Sequence, residues 1–247
     1  MTLKQLIILF PLLGMGILCA QTITSPVFQR MEACVFYTDH SGGDLTVRID
    51  ASYAKRNLSP SASSSTVTPG FLATLYDPDE KVVKDFFWRD EKGDLSKKFE
   101  YTVKNAAKGV WQLRFSQPGS APILKWSVSF FPAQELGFMP SRCWIWHKDI
   151  LTLSGRYFLV PPGKSGLLDF FVRNCRAEIL DLHGKSIGVL ENSGSKKLPL
   201  EPGKVYRLML SAKNPNWCWA GFGGFPFILC KTPELARKLN GGMTPLP

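Results

Sequence analysis

The chain has 247 residues, of which 45% are hydrophobic and 20% charged, and its formal net charge is +10. This apolar fraction is enough to build packed cores, and the excess positive charge favours acidic partners such as polyanionic glycans or an anionic cell envelope. The lysines are scattered and no Arg-rich stripe with interleaved aromatic residues occurs, so nucleic acid is not an expected partner.

Residues 1–20 have the layout of a signal peptide. One charge, Lys4, precedes an apolar run that is too short for a membrane-spanning helix. No later segment approaches the apolar length that is needed to cross a bilayer. We therefore expect cleavage after Ala20 and a secreted, periplasmic or cell-envelope location. Lipidation at Cys19 is disfavoured because Leu18 is not the small residue that lipoprotein processing prefers. An uncleaved anchor is the third alternative.

Short alternating strands dominate the first half of the chain. After an irregular segment over residues 21–43, Asp44 to Ala51 alternates apolar and polar residues, as a half-buried strand does. Further strands are predicted at 71–76, 81–88, 97–103, 110–116 and 124–131. Together they form a predicted first module, residues 30–132, followed by a linker at 133–141.

Short predicted strands also dominate the second half of the chain. Strands are predicted at 157–160, 167–173, 177–182, 185–190, 205–211 and 222–229, within a second module at residues 142–232. A short helix and a loose tail are expected at 233–247, because Thr232 can cap a helix that has Pro233 at its first position.

The two halves also echo each other in order. Residues 76–83 resemble residues 180–187, as strand, Asp-containing turn and strand, and residues 109–116 resemble residues 204–211. The copies lie roughly a domain length apart. The sequence therefore predicts an all-β protein with two tandem β-sandwich (jelly-roll-like) modules after the signal peptide.

The Asp-turn hairpin is followed by a Gly-x-Trp-x-Leu-x-Phe pattern at Gly109, Trp111, Leu113 and Phe115. These features resemble the compact jelly rolls appended to secreted bacterial hydrolases, the pre-peptidase C-terminal modules in particular. The resemblance covers most of residues 44–131 and 157–230. It implies an accessory or binding role and carries over no catalytic residue.

Five cysteines remain once the signal peptide is removed, and four of them lie in the second half. Export to an oxidising compartment favours disulfides, so bridges between Cys143 and Cys218 and between Cys175 and Cys230 are predicted. Cys34 is then the unpaired thiol, and a Cys34–Cys143 bridge is the alternative. No Cys-x-x-Cys spacing occurs, which disfavours a zinc or redox site.

Two tryptophan doublets are the most specific local feature. Residues 142–147 read Arg-Cys-Trp-Ile-Trp-His and residues 216–219 read Asn-Trp-Cys-Trp, so each pair of tryptophans would share one side of a strand. One interpretation is a glycan-stacking platform, and the other is a core packed round a disulfide. The platform would comprise Trp144, Trp146, Trp217 and Trp219, with Arg142, His147 and Asn216 as hydrogen-bonding neighbours. Trp88, Trp111 and Trp126 are expected to be core residues.

No catalytic pattern is complete. There is no Gly-x-Ser-x-Gly and no His-Glu-x-x-His, and Gly163-Lys164-Ser165 follows two prolines as a turn does. Carboxylates at 77–80 could bind calcium but are typical turn residues. We therefore expect no enzyme activity, no cofactor and no metal. The expected function is an exported binding or accessory protein that recognises glycan or the cell envelope. The alternative is a structural protein of the envelope that pairs with protein partners through sheet edges.

Overall fold

A computed structural model describes most of the chain after the predicted signal peptide. The described residues are 22–24, 28–29, 33–53, 70–89, 96–116, 124–133, 136–139, 145–146, 151, 153–214 and 218–241. The predicted cleavage site and the lipidation alternative at Cys19 lie outside these residues.

Within the described residues of the first half, ten strands form two antiparallel sheets. They are β1 (Ile23–Thr24), β2 (Phe28–Gln29), β3 (Ala33–His40), β4 (Gly43–Tyr53), β5 (Gly70–Tyr76), β6 (Val82–Arg89), β7 (Ser96–Ala106), β8 (Gly109–Ser116), β9 (Leu124–Phe131) and β10 (Leu136–Met139). One sheet has the order β1–β9–β4–β7, with β2 also paired to β9, and the other has the order β10–β3–β8–β5–β6.

The described part of the second half contains eight strands and one helix. They are β11 (Ile145–Trp146), β12 (Arg156–Leu159), β13 (Leu167–Arg173), β14 (Arg176–Leu180), β15 (Ser186–Leu190), β16 (Ser193–Pro199), β17 (Val205–Ser211), β18 (Trp219–Gly223) and α1 (Pro233–Gly241). Their sheets have the orders β11–β18–β13–β16 and β12–β17–β14–β15.

The strand orders of the two halves match. If β3 is set against β12 and each later strand against its successor, β9–β4–β7 corresponds to β18–β13–β16 and β3–β8–β5–β6 to β12–β17–β14–β15. From β3 to β9, and equally from β12 to β18, the chain crosses from one sheet to the other at every step except one hairpin, which is the connectivity of a jelly roll. The expected all-β, sandwich-like fold is confirmed.

The sandwich cores come from the alternation within the strands. On β4, Leu45, Val47 and Ile49 are fully buried, while the residues between them point outward. Phe115 and Trp126, from opposite sheets, stack with ring centroids 4.4 Å apart. Trp88 and Trp111 are also buried, so the expectation that the first-half tryptophans are core residues is confirmed. Burial of such aromatic area is the main stabilising contribution to these sandwiches.

Part of the predicted linker at 133–141 is a strand. Leu136–Met139 is β10, which pairs with β3 on one side and with Leu229 on the other. All four residues are buried, because Leu136 and Phe138 belong to the main core while Gly137 and Met139 lie against the apolar residues packed under α1. Phe138 and Leu229 exchange backbone hydrogen bonds of 3.0 and 2.7 Å, and Tyr157 and Cys230 exchange two of 2.8 Å. Residues 229–230 therefore join one sheet of each half edge to edge.

Helix α1 covers this junction. Thr232 Oγ1 accepts a hydrogen bond from the Leu235 amide at 3.2 Å, which caps the helix start. Leu235, Ala236 and Leu239 pack in a cluster with apolar residues of both halves, listed here by position: Val35, Tyr37, Met139, Leu159, Val205, Ile228 and Cys230. The two halves are thus fixed together through an apolar interface. None of the helices in the described ranges is long and apolar enough to cross a membrane.

The segment at 21–43 is likewise more ordered than the sequence predicts. It contains β1, β2 and β3, and on β3 four consecutive residues, Val35 to Thr38, are buried. Because the cluster under α1 covers the outer side of this strand, its sequence lacks the alternation on which the prediction relied.

Candidate aromatic face and end cavity

The structure describes two of the seven predicted ligand-binding residues. Trp219 is described with its side chain and Trp146 through its backbone, whereas Trp144, Trp217, Arg142, His147 and Asn216 lie outside the described residues. Strands β11 and β18 pair antiparallel with Trp146 opposite Trp219. The pairing places the backbones of Trp146 and Trp219, the second residue of each doublet, on adjacent strands.

Trp219 lies on the outer side of the sheet β11–β18–β13–β16. Its strand neighbours Ala220 and Phe222 point into the core, while Trp219 itself is half-buried. The Phe171 ring meets the Trp219 ring edge-on, with centroids 5.2 Å apart and planes at 67°. Phe171 lies directly over Gly221, where an added Cβ would come within 1.8 Å of the ring. The missing side chain at Gly221 therefore lets the two aromatic rings lie side by side.

Polar side chains flank this pair of rings. Arg173 is the register partner of Trp219 on β13 and is exposed. Asp169 lies between Gly223 and Lys197, and its Oδ1 is buried without a hydrogen-bond partner. We call the surface formed by Trp219, Phe171, Arg173 and Asp169 the aromatic face. It combines apolar ring surface with a charged donor and an acceptor.

A cavity of about 520 Å³ opens at the same end of the second half, where β13 ends and β18 begins. Three turns line this end cavity, through Asn174, Cys175, Arg176, Glu191, Asn192, Ser211, Ala212, Lys213 and Asn214. Arg176 is held by Glu178 at 2.6 Å and Glu191 at 2.7 Å. Hydrogen bonds from Ser186 and Arg176 keep the pKa of Glu178 below its usual value. The lining residues thus include amide, hydroxyl and charged groups beside apolar surface.

The end cavity and the aromatic face adjoin each other through Cys175. Cys175 is one of the residues that line the cavity, and its thiol donates a 3.4 Å hydrogen bond to the carbonyl oxygen of Trp219. Burial, and secondarily the nearby Cys218, raise the pKa of the Cys175 thiol to about 11. Since this pKa lies far above neutrality, the wall of the cavity beneath Trp219 carries no negative charge there.

The predicted Cys175–Cys230 disulfide is wrong. No bridge joins any of the three cysteines whose side chains are described, Cys175, Cys218 and Cys230. Cys175 packs beside Cys218 in the main core, whereas Cys230 packs under α1 with its thiol 3.6 Å from the carbonyl oxygen of Ile228. The predicted Cys143–Cys218 bridge is likewise not formed at Cys218, and both Cys143 and the Cys34 side chain lie outside the described residues.

Carboxylates and histidines do not converge in the part of the chain that the structure describes. Within it, no group of three or more His, Cys, Asp or Glu side chains is placed to hold a metal ion. Asp77 Oδ1 instead accepts two 2.9 Å hydrogen bonds from the backbone of its own turn. His183 is exposed in the equivalent turn.

Sequence reasoning did not identify Phe171, Arg173 or Asp169, although a signal was present. In residues 167–173 the alternate positions 168, 170 and 172 are apolar, which assigns the intervening residues to the outer side of the sheet. An aromatic residue at such an outward position, between Asp169 and Arg173, is the sequence signal that identifies this side of β13 as a candidate binding surface.

No family model and no curated protein sequence matches the chain. Among solved structures it has a weak likeness to the propeptide form of the Bacillus licheniformis lipase BlEst2, with 15% identity and a TM-score of 0.24 over 83% of this chain. It has a similar likeness to PNGF-II, with 7% identity and a TM-score of 0.21 over 84% of this chain. The chain spans 43% and 59% of the lengths of these proteins. Likeness this low assigns the chain to neither protein's class.

Proposed function

We propose that this protein is an exported, non-catalytic glycan-binding protein whose site is the aromatic face of the second half. The observation that carries the proposal is the Trp219–Phe171 pair, held at 5.2 Å on the outer side of a sheet over a glycine. Both rings are half-buried on the outer side of the sheet, whereas Trp88, Trp111 and Trp126 are buried in a core.

The chemistry of the face suits a sugar. A pyranose ring has an apolar face of C–H groups that can lie on an indole, and hydroxyl groups at its edge that need donors and acceptors. Arg173 supplies donors beside Trp219, and the carboxylate of Asp169 lies on the same side of β13. A few placed polar groups around an apolar contact surface are typical of small-ligand sites.

The sequence resemblance to the pre-peptidase C-terminal type of jelly roll points the same way, towards an accessory or binding role. Export through the predicted signal peptide would place such a protein where glycans and cell-envelope polymers occur. The net charge of +10 adds a general attraction to anionic surfaces.

A glycan array tests the proposal. The mature protein should bind a limited set of glycans, and Trp219→Ala should abolish that binding. Phe87→Ala is the matched control, because Phe87 is 61% exposed on β6 of the first half, far along the chain from the aromatic face. Equal binding by wild-type protein and Trp219→Ala, or no binding by wild-type protein, would overturn the proposal.

Assembly through a sheet edge is the second candidate function. Strand β7 is 11 residues long, lies at the end of its sheet order and is mostly exposed. Lys98 and Lys104 on this strand pair with Asp50 and Asp44, at 3.3 and 2.6 Å. Charged residues on an edge usually oppose strand addition, which is why we prefer glycan binding. Concentration-dependent oligomers by light scattering, lost on Phe99→Pro, would instead favour assembly.

A further inference from the structure

Three cations lie at the end of the second half where the aromatic face meets the end cavity, and their environments differ. Arg176 is neutralised by Glu178 and Glu191. Arg173 and Lys213 are both exposed, and neither forms an ion pair with any residue in the described ranges. Against the two carboxylates Glu178 and Glu191, the three cations leave this end of the molecule with one net positive charge, and Arg173 and Lys213 are its exposed cations without an ion pair in the described ranges.

The placement of these charges relates to the aromatic face. Arg173 is the cross-strand partner of Trp219, so its side chain leaves the sheet beside the indole. Asn174, the next residue, already lines the end cavity, and Lys213 lines it from the turn that follows β17. The cross-strand partner of Trp219 is therefore the chain neighbour of a residue that lines the cavity.

The size and lining of the cavity suit a polar ring. Its volume of about 520 Å³ falls within the range of small-molecule sites. The lining groups include the amides of Asn174, Asn192 and Asn214 and the hydroxyl of Ser211, which match the hydroxyl and N-acetyl groups of sugars. The protonated thiol of Cys175 adds no repulsion towards an anion at neutral pH.

We propose that the end cavity binds an anionic sugar unit, with Lys213 and Arg173 as partners of its carboxylate or sulfate group. This inference rests on the proposed function, since the neighbouring sugar of the same glycan would lie on Trp219. It narrows the ligand from glycans in general to acidic glycans. Hydrogen bonds between a cation and an oxyanion are stronger than neutral ones, so the charged group decides the selectivity.

The test measures binding of three tetrasaccharides by calorimetry at low and high salt. Chitotetraose is the neutral probe, a hyaluronan tetrasaccharide carries carboxylates, and a chondroitin sulfate tetrasaccharide carries both carboxylates and sulfates. The acidic probes should bind at least about tenfold more tightly than the neutral one, as one charge-assisted contact of about 1.4 kcal/mol would give. Salt should reduce this difference, because exposed charges are screened over about 8–10 Å. The two acidic probes separate a carboxylate from a sulfate preference.

Three variants complete the test. Lys213→Gln and Arg173→Gln should each lower affinity for an acidic probe about five- to tenfold and leave chitotetraose within about twofold. Lys164→Gln is the matched control, since it removes one exposed positive charge in the turn before β13, at the opposite end of that strand.

The outcomes separate the two proposals. Binding that needs Trp219 but is the same for acidic and neutral probes, or for Lys213→Gln and Lys164→Gln, overturns the acidic-sugar inference and leaves the glycan proposal standing. Wild-type protein that binds none of the three probes and no glycan on the array overturns both.

Discussion

Asp77 and Asp181 occupy equivalent positions in the two halves of the molecule. Each Oδ1 accepts 2.9 Å hydrogen bonds from the backbone amides two and four residues later, Asp79 and Lys81 in one case and His183 and Lys185 in the other. The two turns also share a residue with positive φ three positions after the aspartate. The same local chemistry thus closes the same hairpin twice, in halves whose strand orders match.

Because this position has a positive φ in both halves, we expect substitutions there to change the stability of the protein. The position is Glu80 at 60° in the first half and Gly184 at 81° in the second. Gly184→Ala should destabilise the protein by about 1 kcal/mol, because a Cβ disfavours left-handed backbone and no neighbouring atom lies within 4 Å to clash. Glu80→Gly should be neutral or stabilising. Urea unfolding midpoints of both variants measure this, and an unchanged midpoint for Gly184→Ala would show that the turn is not held as described.

The strands that the sequence predicted best are those with one polar side. On β4 the alternation of Leu45, Val47 and Ile49 with polar residues is visible in the sequence, because one side faces the core and the other faces water. Strand β3 was missed because both of its sides are buried, the outer one under α1. Strand β16 was missed for the opposite reason, since within Ser193–Pro199 Leu198 alone is buried.

The junction between the halves was not predictable because it depends on contacts between distant residues. Gly137 on β10 approaches α1 so closely that an added Cβ would lie 2.5 Å from Leu239 Cδ1 and 2.8 Å from Ile228 Cγ2. Nothing local to residues 133–141 indicates this neighbour. A stretch rich in turn-forming residues therefore looked like a linker.

This close approach predicts coupling between Gly137 and Leu239. Gly137→Ala should cost about 1–3 kcal/mol through overpacking, and Leu239→Ala about 2–5 kcal/mol through the cavity that it leaves. In the double variant the new methyl group enters the vacated space, so the total loss should be smaller than the sum. A double-mutant cycle from denaturant unfolding gives the coupling energy. Strict additivity would mean that the helix does not pack on β10.

Tyr37 is buried in the same interface, and we expect its burial to make the protein less stable at high pH. Burial raises the pKa of Tyr37 to about 12, with the positive charge of Arg114 opposing and Glu80 adding to the effect. In the unfolded chain this phenol ionises near pH 10, while in the folded protein it stays protonated up to about pH 12. The folded state is therefore disfavoured progressively between these values.

Tyr37→Phe removes that titration. The stability of wild-type protein relative to this variant should be constant below about pH 10 and should fall between about pH 10 and 12. Thermal unfolding at a series of pH values measures the difference. A constant difference through pH 12 would contradict the burial of Tyr37 under α1.

The candidate site was predicted in part. The Trp219 doublet stood out because two tryptophans at i and i+2 are rare, and the outward position of Phe171 could have been read from β13. The adjacency of Trp219 and Arg173 could not, because it depends on how β13 and β18 pair across a long intervening segment. The Cys175–Cys230 prediction failed for the same reason, because Cys175 lies in the main core and Cys230 under α1, a separation that the cysteine spacing in the sequence does not show.

The most direct test of glycan binding at the aromatic face is the nuclear magnetic resonance signal of the Trp219 indole N–H, identified by its loss in Trp219→Phe. Titration with the strongest ligand from the array should shift this signal in a saturable way. The indole signals of Trp111 and Trp126, which lie in the core of the first half, should stay in place. Saturable binding that leaves the Trp219 signal unmoved would contradict the site that we propose.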